Sequence, residues 1–180
     1  RLSGDGERMA RDAARFRADR PIGYLVSSPL ERALQTAQPI AEASGLAVHA
    51  DDDLIEADNK FEGDRVAGGR GLFSDPRRWR LMLNPFRPSW GEPYQQIARR
   101  MTAAALAARD GAAASDLPGA EAVCVTHQLP IVILRRFAEG RRLWHDPRRR
   151  ECSLASVTSL TFDGDVIVDV RYAEPAGHTP

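Results

Sequence analysis

Lysine is nearly missing from this chain: of 25 basic residues only Lys60 is lysine, and the rest are arginine. Beside so much alanine, that imbalance reads as the codon bias of a GC-rich genome, so arginine richness is not taken as a sign of arginine chemistry. A surplus of either charge is missing too, because 25 basic and 25 acidic residues cancel to a formal net charge of zero. Bulk charge therefore gives no hold on nucleic acid or on an anionic membrane, while a local basic pocket stays open. No apolar run approaches the roughly 20 residues that cross a bilayer, so no membrane partner is expected. Two cysteines, Cys124 and Cys152, are too few for a disulfide framework, and Cys124 lies inside an apolar run; both facts suit a reducing, cytoplasmic setting. Clusters of His, Asp and Glu at ligand spacing are absent, so neither a metal nor another cofactor is expected. An initiating methionine is absent as well. Arg1 opens directly onto a helix signal, and the expectation is that a preceding segment has been removed.

What remains is 180 residues, 43% hydrophobic and 28% charged, the profile of one ordinary globular domain over 1–180. Ser3 suits the cap of a helix running to about residue 19, with Met9, Ala13 and Phe16 at helical spacing. Residues 22–26 form a short apolar strand, and a helix over 30–44 follows, closed by Gly45 and carrying Pro39 inside it. Another strand is read over 46–49. The stretch 57–92 is irregular, rich in glycine and proline, and its part 64–92 is read as a lid-like insertion holding a short helix at 75–83. Pro93 suits the first turn of a helix reaching about residue 109. Then come an apolar strand at 122–125, a helix over 129–138, and a hairpin of 154–162 with 166–172 around Asp163-Gly164. Strands alternating with helices predict a three-layer α/β/α sandwich with a mostly parallel mixed sheet.

In such sheets ligands gather beyond the carboxyl ends of the strands. Three segments meet that condition: Ser28-Pro29-Leu30-Glu31-Arg32, Thr126-His127-Gln128 and Leu54-Ile55-Glu56. An arginine, a histidine and a glutamate on one rim, near two helix starts, would make an anion site with a proton donor. Glu56 has rival carboxylates close by in Asp58, Glu62 and the run 51–53.

The segment Ser28-Pro29-Leu30-Glu31-Arg32-Ala33-Leu34-Gln35-Thr36-Ala37 resembles the second signature of the histidine phosphatase superfamily, also called phosphoglycerate mutase-like. Leu54-Ile55-Glu56 followed by Phe61-Glu62-Gly63 resembles its acid-bearing segment, and Gly91-Glu92-Pro93 with Arg99 resembles its Gly-Glu-Ser helix start. Val123-Cys124-Val125-Thr126-His127 is similar to the strand that carries its second catalytic histidine, and Leu2-Ser3 with Gly6 to the helix after its first motif. The motifs follow in order over almost the whole chain.

The resemblance implies phosphoryl transfer through a phosphohistidine with no metal. Arg32 would bind the phosphate bidentately, since the guanidinium fork matches its oxygens. His127 would donate to a non-bridging oxygen, with Gln128 grouped beside it in phosphate binding. Glu56 would protonate the leaving alcohol, which requires a raised pKa with substrate bound. One departure is plain. The nucleophile of the family lies in an Arg-His-Gly motif, and here His49, His127, His145 and His178 all lack a preceding arginine. The nucleophile and the first strand of the domain are therefore expected upstream of Arg1.

The reading is a phosphatase acting on a small phosphomonoester, with phosphoglycerate mutase-type phosphotransfer or a non-catalytic phosphate-binding module as alternatives. Its partner is a small phosphorylated substrate, and a homodimer is allowed but not required. His49, His145 and His178 read as surface residues, and Trp79, Trp90 and Trp144 as packing residues. Arg78 and Arg87, in the irregular stretch, could touch an acidic group of a substrate but are assigned no role; the basic loop 146–150 reads as solvated, and Cys124 and Cys152 as inert. Enzyme and binding module part on one cheap observation: the codons ahead of Arg1 encode Arg-His-Gly for the enzyme, and lack it for the module.

Overall fold

A computed structural model describes residues 1–57, 92–145 and 151–177. Helix α1 (Gly4–Phe16) begins where the Ser3 hydroxyl accepts the Gly6 N–H at 3.2 Å, satisfying one of the unpaired donors of the first turn. It ends at Phe16, short of residue 19, because Arg17 and Arg20 turn to engage the Glu121 carboxylate. Strand β1 (Ile22–Ser27) leads to helix α2 (Glu31–Ser44), which continues through Pro39. Gly45, at φ 70°, closes α2 with its N–H on the Ala41 carbonyl at 2.8 Å. Strand β2 (His49–Ala50) is shorter than the one expected at 46–49 and shifted along the chain. Only His49 and Ala50 lie alongside β1, opposite Val26 and Ser27, while Leu46 and Val48 pack into the core.

A single 3-10 turn (Asp52–Leu54) follows, and helix α3 (Tyr94–Ala113) begins after Pro93 and runs past residue 109. Strand β3 (Glu121–Val125) and helix α4 (Gln128–Ala138) come next, then the hairpin of β4 (Val157–Asp163) and β5 (Val166–Ala173). Strand β4 starts at Val157 rather than at 154 because Ala155, at φ 53°, breaks the extended run.

The sheet β2-β1-β3 is wholly parallel, and β4 and β5 pair antiparallel. Among the described residues the hairpin shares no backbone ladder with the parallel strands, so the expected mixed sheet is built in two parts. Side chains alternate between the two faces of the parallel sheet. Val123 and Val125 of β3 face α2 with Leu25, Ala37 and Ile40, whereas Ala122 and Cys124 face α3 and α4 with Ile97, Met101 and Ile133. A bulge between Ile22 and Tyr24 puts Ile22 on the same side as Leu25, three residues away. Leu160 and Ile167 of the hairpin lie against the α3/α4 cluster. The result is the α/β/α layering that the strand and helix order predicts.

One surface reading and one packing reading are corrected. His145 is buried, with its ring 5.9 Å from Tyr94 and Nδ1–H donating to the Leu143 carbonyl at 3.2 Å. Trp144 takes the outward position beside it and is half exposed rather than packed. The expected lid at 64–92 lies outside the described residues except for Glu92, as do the helix at 75–83, Trp79, Trp90, Arg78, Arg87, 146–150 and His178. No helix among the described residues is long and apolar enough to cross a membrane.

Helix α3 approaches β1 closely at Gly111, where a Cβ would lie 2.8 Å from Tyr24 Cδ2. The Tyr24 ring is itself stacked on His49, with centroids 4.8 Å apart, so it has little freedom to give way. Gly111→Ala is expected to lower stability by about 1–2 kcal/mol, the overlap outweighing the better helix propensity of alanine. Urea denaturation checks this, and an unchanged or raised midpoint would contradict the close approach.

Candidate functional site

The parallel register brings the ends of β1 and β3 level, with Ser27 opposite Val125. The Ser28 N–H then donates to the Val125 carbonyl at 2.8 Å, so Ser28, the first residue beyond β1, and His127, the second beyond β3, become neighbours. Beyond β2, the Asp51 N–H donates to the Ser27 carbonyl at 3.0 Å, and the Thr126 hydroxyl donates to the Leu54 carbonyl at 2.6 Å. These bonds fix the 51–57 segment across the strand ends and deliver Glu56 to the same rim. Helices α2 and α4 both start there, so their positive ends converge on it.

Arg32, His127 and Glu56 meet. Arg32 Nε donates to His127 Nδ1 at 3.3 Å, and Glu56 Oε2 lies 3.7 Å from that nitrogen and 3.9 Å from Arg32 Nη2. His127 is buried, Glu56 partly so, and the Arg32 side chain is 48% exposed, leaving the guanidinium open to a ligand. Gln128 goes elsewhere: its amide nitrogen donates to the Cys152 carbonyl and ties α4 to the segment before the hairpin.

Burial, then Arg32, then Arg100 push the His127 imidazole down to about 4, so the ring is neutral at neutral pH. Its approach to Glu56 is then proximity and not an ion pair. Burial, and secondarily Asp51, push the Cys124 thiol up to about 12, which leaves it protonated and unreactive. Among the described residues no group of three or more His, Cys, Asp or Glu is gathered to hold a metal ion.

Three contributors escaped the sequence reading. Arg100, rather than the exposed Arg99, forms the pair with Glu92, with contacts of 2.8–3.1 Å and both side chains nearly buried. Arg100 also donates to the Asp53 carbonyl, bracing the turn before Glu56. Nothing local distinguishes neighbouring arginines on a helix, so only the helical phase could have chosen between them. Thr126 and Ser28 sit in motifs already noticed, and a hydroxyl at the end of a buried strand is the signal that would have found them.

A family model of the histidine phosphatase superfamily (branch 1) matches residues 1–174. Uncharacterized protein Rv0525 of Mycobacterium tuberculosis is 55% identical over 97% of this chain and 84% of its own length. A probable phosphoglycerate mutase, GpmB of Klebsiella pneumoniae, is 32% identical over 87% of this chain and 72% of its own. Among solved structures, the mycobacterial glucosyl-3-phosphoglycerate phosphatase Rv2419c with inorganic phosphate is similar with a TM-score of 0.70. It is 26% identical, and the match covers 98% of this chain and 89% of that one.

The depressed His127 pKa has a thermodynamic consequence. The unfolded chain takes up a proton below about 6.5 that the folded chain refuses until about 4. Stability is therefore present in full above that window and falls as pH drops through it, by roughly 3 kcal/mol at most. His127→Gln is expected to lose this part of the acid sensitivity, measured as the change in urea midpoint between pH 7 and pH 4.5. Equal changes in wild type and variant would contradict a buried neutral ring.

Proposed function

Because the chain belongs to the histidine phosphatase superfamily, we propose that it is a phosphatase hydrolysing a small phosphomonoester through a phosphohistidine. The observation that carries the reading is the convergence of Arg32, His127 and Glu56 within 3.3–3.9 Å of one another at the strand ends. Arg32 holds two phosphate oxygens in its fork, and His127 donates to a third. A histidine of the Arg-His-Gly motif that the family carries, and that residues 1–180 do not contain, would attack phosphorus through an imidazole nitrogen while the bond to the ester oxygen breaks. Glu56 gives that oxygen its proton. Water then attacks the phosphohistidine and Glu56 takes back a proton, so the cycle returns inorganic phosphate, the alcohol and the free imidazole. None of these steps calls on a metal. Two free cysteines suit a reaction in the cytoplasm, and a homodimer is compatible with it.

Similarity to a probable phosphoglycerate mutase favours a second reading, in which the phosphoryl group returns to the same substrate instead of passing to water. Similarity to a phosphatase solved with inorganic phosphate, over nearly all of both chains, supports hydrolysis.

The test is turnover of p-nitrophenyl phosphate in EDTA by the full-length protein. Arg32→Ala and His127→Ala are each expected to lower kcat/KM by about a thousandfold, with no change on chelation. Glu56→Gln should cost far more with an alkyl phosphate than with p-nitrophenyl phosphate, whose leaving group needs little protonation. Isomerised 3-phosphoglycerate without free phosphate would replace the phosphatase by the mutase. Phosphate binding without turnover of any ester would leave a binding module.

A further inference from the structure

Ser28 is fully buried at the junction of β1 and α2, and its hydroxyl lies 2.9 Å from His127 Nε2. An arginine can only donate, so Nδ1, 3.3 Å from Arg32 Nε, must present its lone pair. A neutral ring then carries its proton on Nε2, and Ser28 Oγ accepts it. The Leu30 N–H also points at that oxygen, at 3.4 Å, so without ligand Ser28 acts as an acceptor.

A bound phosphate reverses the demand on the ring. Nδ1 is the nitrogen that faces Arg32 and Glu56, so it faces the ligand. Once Arg32 turns its fork to phosphate oxygens, Nδ1 must donate to an oxygen rather than accept from arginine. The ring can meet that demand by gaining a second proton or by moving the one it has. Arg32 from α2 and Arg100 from α3 oppose a positive charge on the ring, while Glu56 and the phosphate itself favour one, so the choice falls to the partner at Nε2. Moving the proton needs a partner at Nε2 that can donate as well as accept. A backbone carbonyl or amide can do only one of these; a hydroxyl does both by rotating about its C–O bond.

We propose that Ser28 is a positioning residue whose hydroxyl lets His127 exchange its Nε2–H tautomer for the Nδ1–H tautomer when phosphate enters. The ring is neutral before and after: Nδ1 takes one proton from solvent, Nε2 gives one up to solvent, and the Ser28 O–H swings to donate to Nε2. This rests on the phosphatase reading of the site.

Nitrogen-15 histidine NMR distinguishes the two neutral tautomers from imidazolium, and His127→Gln identifies the ring signal. In the full-length protein at pH 7 the expected result is Nε2–H alone and Nδ1–H with inorganic phosphate. The Arg32 Nε signal reports phosphate binding independently. Ser28→Ala is expected to abolish the exchange and weaken phosphate binding about tenfold, and Ser28→Thr, which keeps a hydroxyl, to restore both. An unchanged tautomer or an imidazolium, with the Arg32 signal shifted, overturns the exchange and leaves the phosphatase standing. A Ser28→Ala protein that exchanges like wild type overturns the role of Ser28. Phosphate that moves neither signal overturns the phosphatase reading and this inference with it.

Discussion

The backbone register between β1 and β3 is the constraint on which the site depends. Opposing Ser27 to Val125 makes the two strands end together, and the Ser28-to-Val125 bond carries the pairing one residue past the sheet. A slip of one residue would turn every β3 side chain to the wrong face, exchanging Val123 and Val125 for Ala122 and Cys124 against α2. It would also pull His127 out of reach of both Ser28 and Arg32. The core on either face thus enforces the geometry of the rim, and the energy that holds the site is largely hydrophobic burial remote from the chemistry.

Charge is distributed unevenly among the arginines near His127. Arg100 is spent on Glu92 in a nearly buried, multiply bonded pair, whereas Arg32 meets Glu56 only at 3.9 Å and is half open to solvent. Removing one partner of a buried pair is costly, so Arg100 belongs to the scaffold. Arg32 can change partners cheaply, as a ligand-binding cation must. Burial is the larger reason that the His127 ring is neutral, and both arginines add to it through space.

What the sequence discloses, it discloses through local patterns. Strands β1 and β3, helices α2 and α4 and the Gly164 turn are set by apolar runs, caps and a turn glycine, and their expected bounds lie within a few residues of the observed ones. The gathering of Arg32, His127 and Glu56 was legible because each follows a strand. Long-range partners were not legible. Helix α1 stops early for the sake of Glu121, roughly a hundred residues away, and β2 is trimmed by where β1 allows pairing. His145 is buried because Tyr94, distant in sequence, receives it. The choice between Arg99 and Arg100 is a matter of helical phase after an irregular stretch, which composition does not reveal.

The division of the strands into a parallel set and a separate hairpin has a mechanical meaning. A backbone ladder resists shear, because sliding breaks every rung at once; side-chain packing yields more gradually. Among the described residues, the hairpin is joined to the rest through side chains such as Arg109 at the Gly164–Asp165 turn, and Leu160 and Ile167 on the core. Among the described residues, β1 and β3 are therefore held by backbone rungs and the hairpin by side chains. Gln128, bonded to the Cys152 carbonyl, spans the seam between the two from the residue next to His127. Together with Arg135 of the same helix, whose guanidinium lies 4.7 Å over the Tyr172 ring, this amide ties the hairpin to the helix that begins beside His127, which makes the strand pair a lever on the rim.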